Sequence, residues 1–268
     1  WNSPWRYQNV TSVIIKDGVT RIGNCAFDDC NRITSVTIPD SVESIGDYAF
    51  CSCSALTDVV LPDSVLAVGD FAFASCCGLQ HVTLSNSLTK ISDYAFAGTN
   101  RITTITIPDS VVSIDDGAFS GCAELTAITL PNSVVSIGRE AFESCYELES
   151  IHIPQSVTNM GNDVFLCCTS LTSITVDPNN PVYDSRNNCN AIIQTDNHQL
   201  VAGCSTTVIP DTVISIGKRA FFDAELTAID IPGSVSSIGE RAFESCGRLT
   251  TVRFSGKNSF LNSDQRNL

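Results

Sequence analysis

The chain has 268 residues, 43% of them hydrophobic, and its 15 basic and 29 acidic side chains give a formal charge of −14. No apolar run nears the roughly 18 residues of a membrane span. The charge argues against nucleic acid, whose phosphates call for clustered positive side chains, and it repels anionic membranes.

The chain starts WNSPWRYQNV, with no Met and no secretory leader, so it reads as an excised segment or a mature form. Trp1–Asn9 precede the regular pattern. Trp1, Trp5 and Tyr7 form a dense aromatic group that we expect to cap the first apolar edge. Asn9-Val10-Thr11 is a glycosylation sequon, meaningful only in a secreted eukaryotic setting.

From Val10 the pattern restarts every 23 residues, at Ile33, Leu56, Leu79, Ile102, Leu125, Leu148 and Leu171. Leu125–Glu147, LTAITLPNSVVSIGREAFESCYE, is a representative unit. A period of roughly 20 to 29 residues with an L-x-x-L-x-L core signals a leucine-rich-repeat solenoid. The expected fold class is an α/β solenoid wound as a right-handed superhelix. Its parallel sheet lies on the concave face and short helical turns lie on the convex face. About eleven strands would give a sheet of ~50 Å at ~4.8 Å per strand.

Positions 3 to 6 of each unit alternate with period two. Val36 and Ile38, or Ile105 and Ile107, point inward; Ser35 and Thr37, or Thr104 and Thr106, point outward. Proline at position 7, as in Pro39, Pro62 and Pro108, ends the strand. Next comes S-V-x-x-I-G, whose Gly23, Gly46, Gly69, Gly138, Gly161, Gly217 and Gly239 are expected to supply a positive φ. Ser92 and Asp115 depart from that rule. The following x-x-A-F-x-x-C suits one helical turn. Its nine phenylalanines, from Phe27 to Phe243, are expected to stack as a core spine.

At Leu171 the rhythm changes. Asp177–Asn188 reads as loop, and Asn190–Gln194 with Gln199–Gly203 reads as a hairpin around TDNH. The repeat resumes with Cys204 and Leu226, and a last strand, Leu249–Phe254, leads into a polar tail. The domain organisation is therefore a flank over 1–9, a solenoid over 10–254 interrupted at 177–203, and a tail or cap over 255–268.

Seven of the 13 cysteines sit three residues after the core Phe, where Thr99 and Ala224 stand in two other repeats. A slot that accepts Cys, Thr or Ala wants a small buried side chain. Adjacent-repeat disulfides are the lesser reading, and with no C-x-x-C pair zinc is not expected. Cys189 and Cys204 flank the hairpin. They are either a cross-strand disulfide or, with Cys204 in the leucine slot, separate thiols. His81, His152 and His198 are too scattered to share a metal. Asp47, Asp70, Asp93 and Asp116 repeat in one slot, and we read them as acids favouring a helix start. No nucleophile, metalloprotease, phosphate-loop or dinucleotide motif occurs, so neither enzymatic activity nor a cofactor is expected.

The unit L-T-x-I-T-I-P-x-S-V-x-S-I-G-x-x-A-F-x-x-C resembles the BspA-like leucine-rich-repeat family over Val10–Phe254. The interruption NPVYDSRNNCNAIIQTDNHQLVAGCSTTVIPDTV is similar to an insertion common there. The resemblance implies an extracellular or cell-surface protein, often an adhesin binding host or matrix proteins, with no catalytic residues to carry over. On the concave face, Asp58, His81, His152, Asp230 and Arg253 depart from the Ser/Thr background, with Thr83, Thr106 and Thr129 between them. These eight are the candidate protein-binding residues. A spacer that holds another domain away from a surface is the rival reading.

Overall fold

A computed structural model describes residues 3–256. Each coil has three sides. The first carries a strand of three or four residues, such as Ser12–Ile14, Asp58–Val60, Thr104–Thr106 or Ser173–Val176. The pairing is parallel, and residues 23 apart face each other, as in Ser12↔Ser35, Asp58↔His81, Thr106↔Thr129 and His152↔Thr175. The strand's middle residue points inward: Val59 is 1% exposed and Ile151 3%. These front strands form two four-stranded sheets and a final pair, Ala228–Ile231 with Thr251–Phe254. Ten front strands are thus described, one fewer than expected, because residues 204–210 form no strand.

The second side carries a strand the sequence reading missed. In V-x-S-I-G the residues before Gly pair coil to coil, for example Ser44–Ile45 with Ala67–Val68, and Ser113–Ile114 with Ser136–Ile137. Two residues are too few to display a period-two alternation.

The third side corrects the α/β expectation. No α-helix occurs among the described residues, and the x-x-A-F-x-x-C segments are chains of tight turns. In one coil, Ala49, Cys51 and Cys53 donate N–H bonds three residues back, to Gly46, Tyr48 and Phe50. The alternate N–H groups of Tyr48, Phe50 and Ser52 donate to Asp70, Ala72 and Ala74 of the next coil, at 2.9, 2.8 and 2.7 Å. Pointing every second N–H outward requires left-handed residues four apart, here Tyr48 (φ 55°) and Ser52 (φ 59°). An α-helix keeps its hydrogen bonds to itself and is about 10 Å wide. Here the third side instead bonds coil to coil at the ~4.8 Å step of the front sheet, which a helix that wide could accompany only by splaying that side apart.

The corner glycines are needed for a different reason than expected. None of them has a positive φ. A Cβ on Gly46 would lie 2.3 Å from Asn24 Oδ1 and 2.6 Å from Asn24 N, and Gly69 meets Asp47 in the same way. Glycine lets successive corners touch. At the exception Ser92, the buried hydroxyl donates to Val68 O at 2.6 Å.

Inside the coils, Phe27, Phe50, Phe73, Phe96, Phe119, Phe142 and Phe165 form one file of near-parallel rings with centroids 5.2–5.8 Å apart. Beside it, the column thiols after Cys30 donate to the carbonyl of the preceding coil's phenylalanine: Cys53 to Phe27 at 3.2 Å, Cys76 to Phe50 at 3.1 Å, Cys168 to Phe142 at 3.1 Å. Thr99 uses its hydroxyl on Phe96 O at 2.7 Å. The slot therefore holds a small side chain, which after Cys30 bonds to a phenylalanine carbonyl wherever it is Cys or Thr; Ala224 fills it without a donor. Burial pushes the Cys53 and Cys122 thiols up to about 12, which keeps them protonated and unreactive.

The insertion is built into the solenoid. The hairpin pairs Ala191–Gln194 with Gln199–Gly203, with a register shift between Ile192 and Ile193. Its return arm then pairs in parallel with the next second-side strand, Gln199↔Ser215 and Leu200↔Ile216. Gly203 donates to Ala220 O at 2.8 Å, as a core Phe would to the next coil, and a Cβ there would lie 2.1 Å from the Phe221 ring. The Phe file stops at Phe165 and restarts as Phe221–Phe243, 5.0 Å apart. The buried side chains divide in the same way, into a large cluster ending near Cys204 and a second one from Cys189 to Ala242. Cys189 and Cys204 are free thiols that belong to different clusters. The register shift in the hairpin removes the pairing that would have set them opposite each other.

Before the first repeat, Ser3 donates to Ala26 O at 2.8 Å and Arg6 pairs with Asp29 at 2.8 Å. Trp5 and Tyr7 are exposed, and Trp1 lies outside the described residues, as does the tail beyond residue 256.

Candidate functional site

The outward positions of the front strands form two columns. One runs through Ser35, Asp58, His81, Thr104 and Ala127; the other runs through Thr37, Val60, Thr83, Thr106, Thr129, His152 and Thr175. Within each sheet, parallel in-register pairing sets a side chain about one strand spacing from the next; His81 and Thr83 end the first sheet, and Thr104 and Thr106 begin the second.

The structure joins some candidate residues and leaves others apart. Asp58 Oδ1 and His81 Nδ1 are 3.0 Å apart, and Thr57 Oγ1 donates to Asp58 Oδ2 at 2.6 Å. His152 Nδ1 shares a hydrogen bond with Thr175 Oγ1 at 3.0 Å. Arg253 Nη1 donates to Asp230 Oδ1 at 3.1 Å. The Asp58–His81 and Asp230–Arg253 contacts are well exposed, with Asp58 and His81 side chains at 63% and 77%, so each stabilises the fold by no more than about 1 kcal/mol. The two pairs sit in different sheets, so the eight residues form no single cluster.

Thr83, Thr106 and Thr129 are exposed, and their hydroxyls have no hydrogen-bond partner among the described residues. Threonines three positions earlier in the repeat behave differently. Thr34, Thr126, Thr172 and Thr250 each donate to a carbonyl of the preceding coil, at 3.0–3.3 Å. A strand-leading Thr therefore stitches coils together, whereas an outward Thr keeps its donor for solvent or a ligand. Sequence reasoning passed over Ile14 and Val60, which are 64% and 62% exposed in the second column. Their signal was an apolar residue at an outward position.

The acidic file has a structural role that differs from the one expected. Asp47 accepts the Asp70 N–H at 3.1 Å, Asp93 accepts the Asp116 N–H at 2.9 Å, and Asp116 accepts the Arg139 N–H at 2.6 Å. These carboxylates join coils and start no helix. Burial, and then the like charges of Asp93 and Asp47, raise the Asp70 carboxyl above its ordinary value. No group of three or more His, Cys, Asp or Glu able to hold a metal occurs among the described residues.

On this geometry the comparisons are decisive. The model of the BspA-type leucine-rich repeat region matches in six copies, over residues 2–122, 89–195 and 192–265. The chain belongs to the BspA-type leucine-rich-repeat family. A leucine-rich cell surface protein from Faecalibacterium prausnitzii is similar at 32% identity and a TM-score of 0.79, over 92% of this chain and 70% of that one. A leucine-rich repeat protein from Bacteroides ovatus is 25% identical over 92% of this chain and 75% of its own, with a TM-score of 0.59. The leucine-rich repeat protein of T. pallidum is 28% identical over 62% of this chain and 81% of its own, with a TM-score of 0.54. No curated protein matches. Leucine-rich-repeat domains generally mediate protein interactions through the extended surface that stacked repeats create.

Proposed function

We propose that this BspA-type chain is a non-enzymatic protein-binding module of a cell-surface or secreted protein. In this reading it is adhesin-like and recognises host or matrix proteins through its front face, the side expected to be concave. One observation carries the reading: the Thr106 and Thr129 hydroxyls stand exposed and unpartnered side by side on a hydrogen-bonded ladder, and Thr83 stands exposed and unpartnered on the end strand of the neighbouring sheet. Because the backbone is already ordered there, a partner meets fixed donors at little entropic cost. The similarity to a protein described as a cell surface protein supports an extracellular or surface location.

A spacer role is the second reading. It is favoured by the way Asp58–His81, His152–Thr175 and Asp230–Arg253 satisfy one another within the face. The two readings separate with Thr106→Arg/Thr129→Arg. Both substitutions are on exposed positions, so circular dichroism should be unchanged. Recognition predicts that the purified domain no longer attaches to cells or matrix proteins. Attachment equal to wild type would establish the spacer instead.

A further inference from the structure

The front strand ends in proline, and the residue after it occupies a repeating corner slot. In one coil that residue, Asp63, accepts both the backbone N–H and the side-chain N–H of Asn86 in the next, at 2.9 and 3.2 Å. Beyond the hairpin the corresponding residues are Asp211 and Gly233. Gly233 has no side chain to offer, and the Asp211 carboxylate has no partner among the described residues. A Cβ on Gly233 would lie 2.7 Å from Ser255 O, so close stacking of the corners keeps the slot empty. A cleft of about 260 Å³ opens there, lined by Val208, Asp211, Asp230, Pro232 and Arg253 among others.

The lining defines a chemistry. Val208 is 71% exposed and, with Pro232, offers an apolar wall. Asp211 and Asp230 place two carboxylates against one cation, Arg253, which already donates to Asp230. An apolar wall leading to surplus negative charge fits a long basic side chain, whose methylenes pack on the wall while its head reaches the acids. A guanidinium suits carboxylates best, because its planar fork bonds bidentately. The overall charge of −14 would draw a basic segment toward the chain, and Asp211 and Asp230 would hold it at the cleft.

We propose that this cleft seats an arginine side chain projecting from an extended segment of the partner protein. The proposal rests on the front-face recognition reading above and names the partner's chemistry. The probe is the acetylated, amidated pentapeptide Gly-Val-Arg-Val-Gly, titrated into the isotope-labelled chain and followed by NMR. Amide shifts are expected at Val208, Asp211, Asp230 and Gly233. The Asp211→Asn/Asp230→Asn variant, with an unchanged thermal midpoint, should bind about tenfold more weakly. Equal shifts with a glutamate at the peptide's centre, or unweakened binding by the double variant, would overturn the proposal. Thr106→Arg/Thr129→Arg tells the two readings apart. If it binds the peptide but no longer attaches to cells, both stand. If it binds the peptide and still attaches, the cleft stands and front-face recognition falls.

Discussion

The coils before residue 177 and those after residue 203 are written in the same motif, yet they are held together differently. In the first region N–H groups bond neighbouring coils on all three sides, with one break in the front ladder and one in the second-side ladder, and the phenylalanines form one file from Phe27 to Phe165. At the junction the hairpin takes over the second side, Gly203 stands where a ring would be, and the second front sheet ends at Ser173–Val176, a whole coil without a front strand separating it from Ala228–Ile231. An ion pair also crosses the junction, Arg219 to Asp163 at 2.9 Å. Stability in a solenoid is the sum of each repeat and its interfaces with neighbours. One altered interface therefore divides the molecule into two cores without separating them.

The largest effect is expected inside the continuous region. Phe119 is fully buried between Phe96 and Phe142, and Phe119→Ala should cost about 3–5 kcal/mol. Urea denaturation followed by circular dichroism measures this. A cost below about 1 kcal/mol would mean that the file is not a shared core.

At the junction the key side chain is polar. Buried Asn180 donates to Pro154 O at 2.9 Å and Val157 O at 2.8 Å, while its Oδ1 accepts the N–H groups of Val182 and Tyr183 at 2.9 and 2.8 Å. Asn180→Ala strands these groups and should cost about 1–3 kcal/mol. The loss should appear first as an earlier unfolding step in the second core. A single transition that shifts as a whole would show that the junction is no weaker than the coils around it.

How much of this was legible in the sequence follows from what each feature depends on. The 23-residue period revealed the parallel register, the inward Ile and Val, the phenylalanine file and the hairpin, because these depend on spacing and apolarity. The turns at Tyr48 and Ser52 were hidden, since Ala-Phe with flanking polar residues suits a helix in isolation. What replaces the helix is hydrogen bonding to the next coil, which exists only once the coils are stacked. The role of Gly46 was hidden for the same reason: contact with Asn24 of the preceding coil exists only once the coils are stacked. On the candidate face, outward positions were readable from alternation. The difference between a stitching threonine such as Thr126 and an unpartnered one such as Thr129 was not, because both look alike along the chain.

The smallest effect concerns charge. Asp70 has a raised folded-state pKa, so its protonated form is favoured in the fold. As pH rises from the ordinary carboxylate range through that raised value, the unfolded chain releases its proton first and stability falls. Asp70→Asn keeps an oxygen to accept the Asp93 N–H and removes the charge. Allowing for solvent screening, it should stabilise by about 0.5 kcal/mol or less at neutral pH. The gain should fade as the pH drops below the ordinary range, as thermal midpoints across a pH series would show. A gain that grows on acidification would contradict the raised value.

Native-state hydrogen exchange compares the two regions in one experiment. The amides of Ile105 and Ile128 lie in the continuous sheet, and that of Ile229 lies in the strand pair beyond the junction. The account predicts that Ile229 exchanges through a sub-global opening of lower free energy, while Ile105 and Ile128 exchange only with global unfolding. Equal opening free energies at all three amides would contradict it, because the chain would then behave as one uninterrupted core.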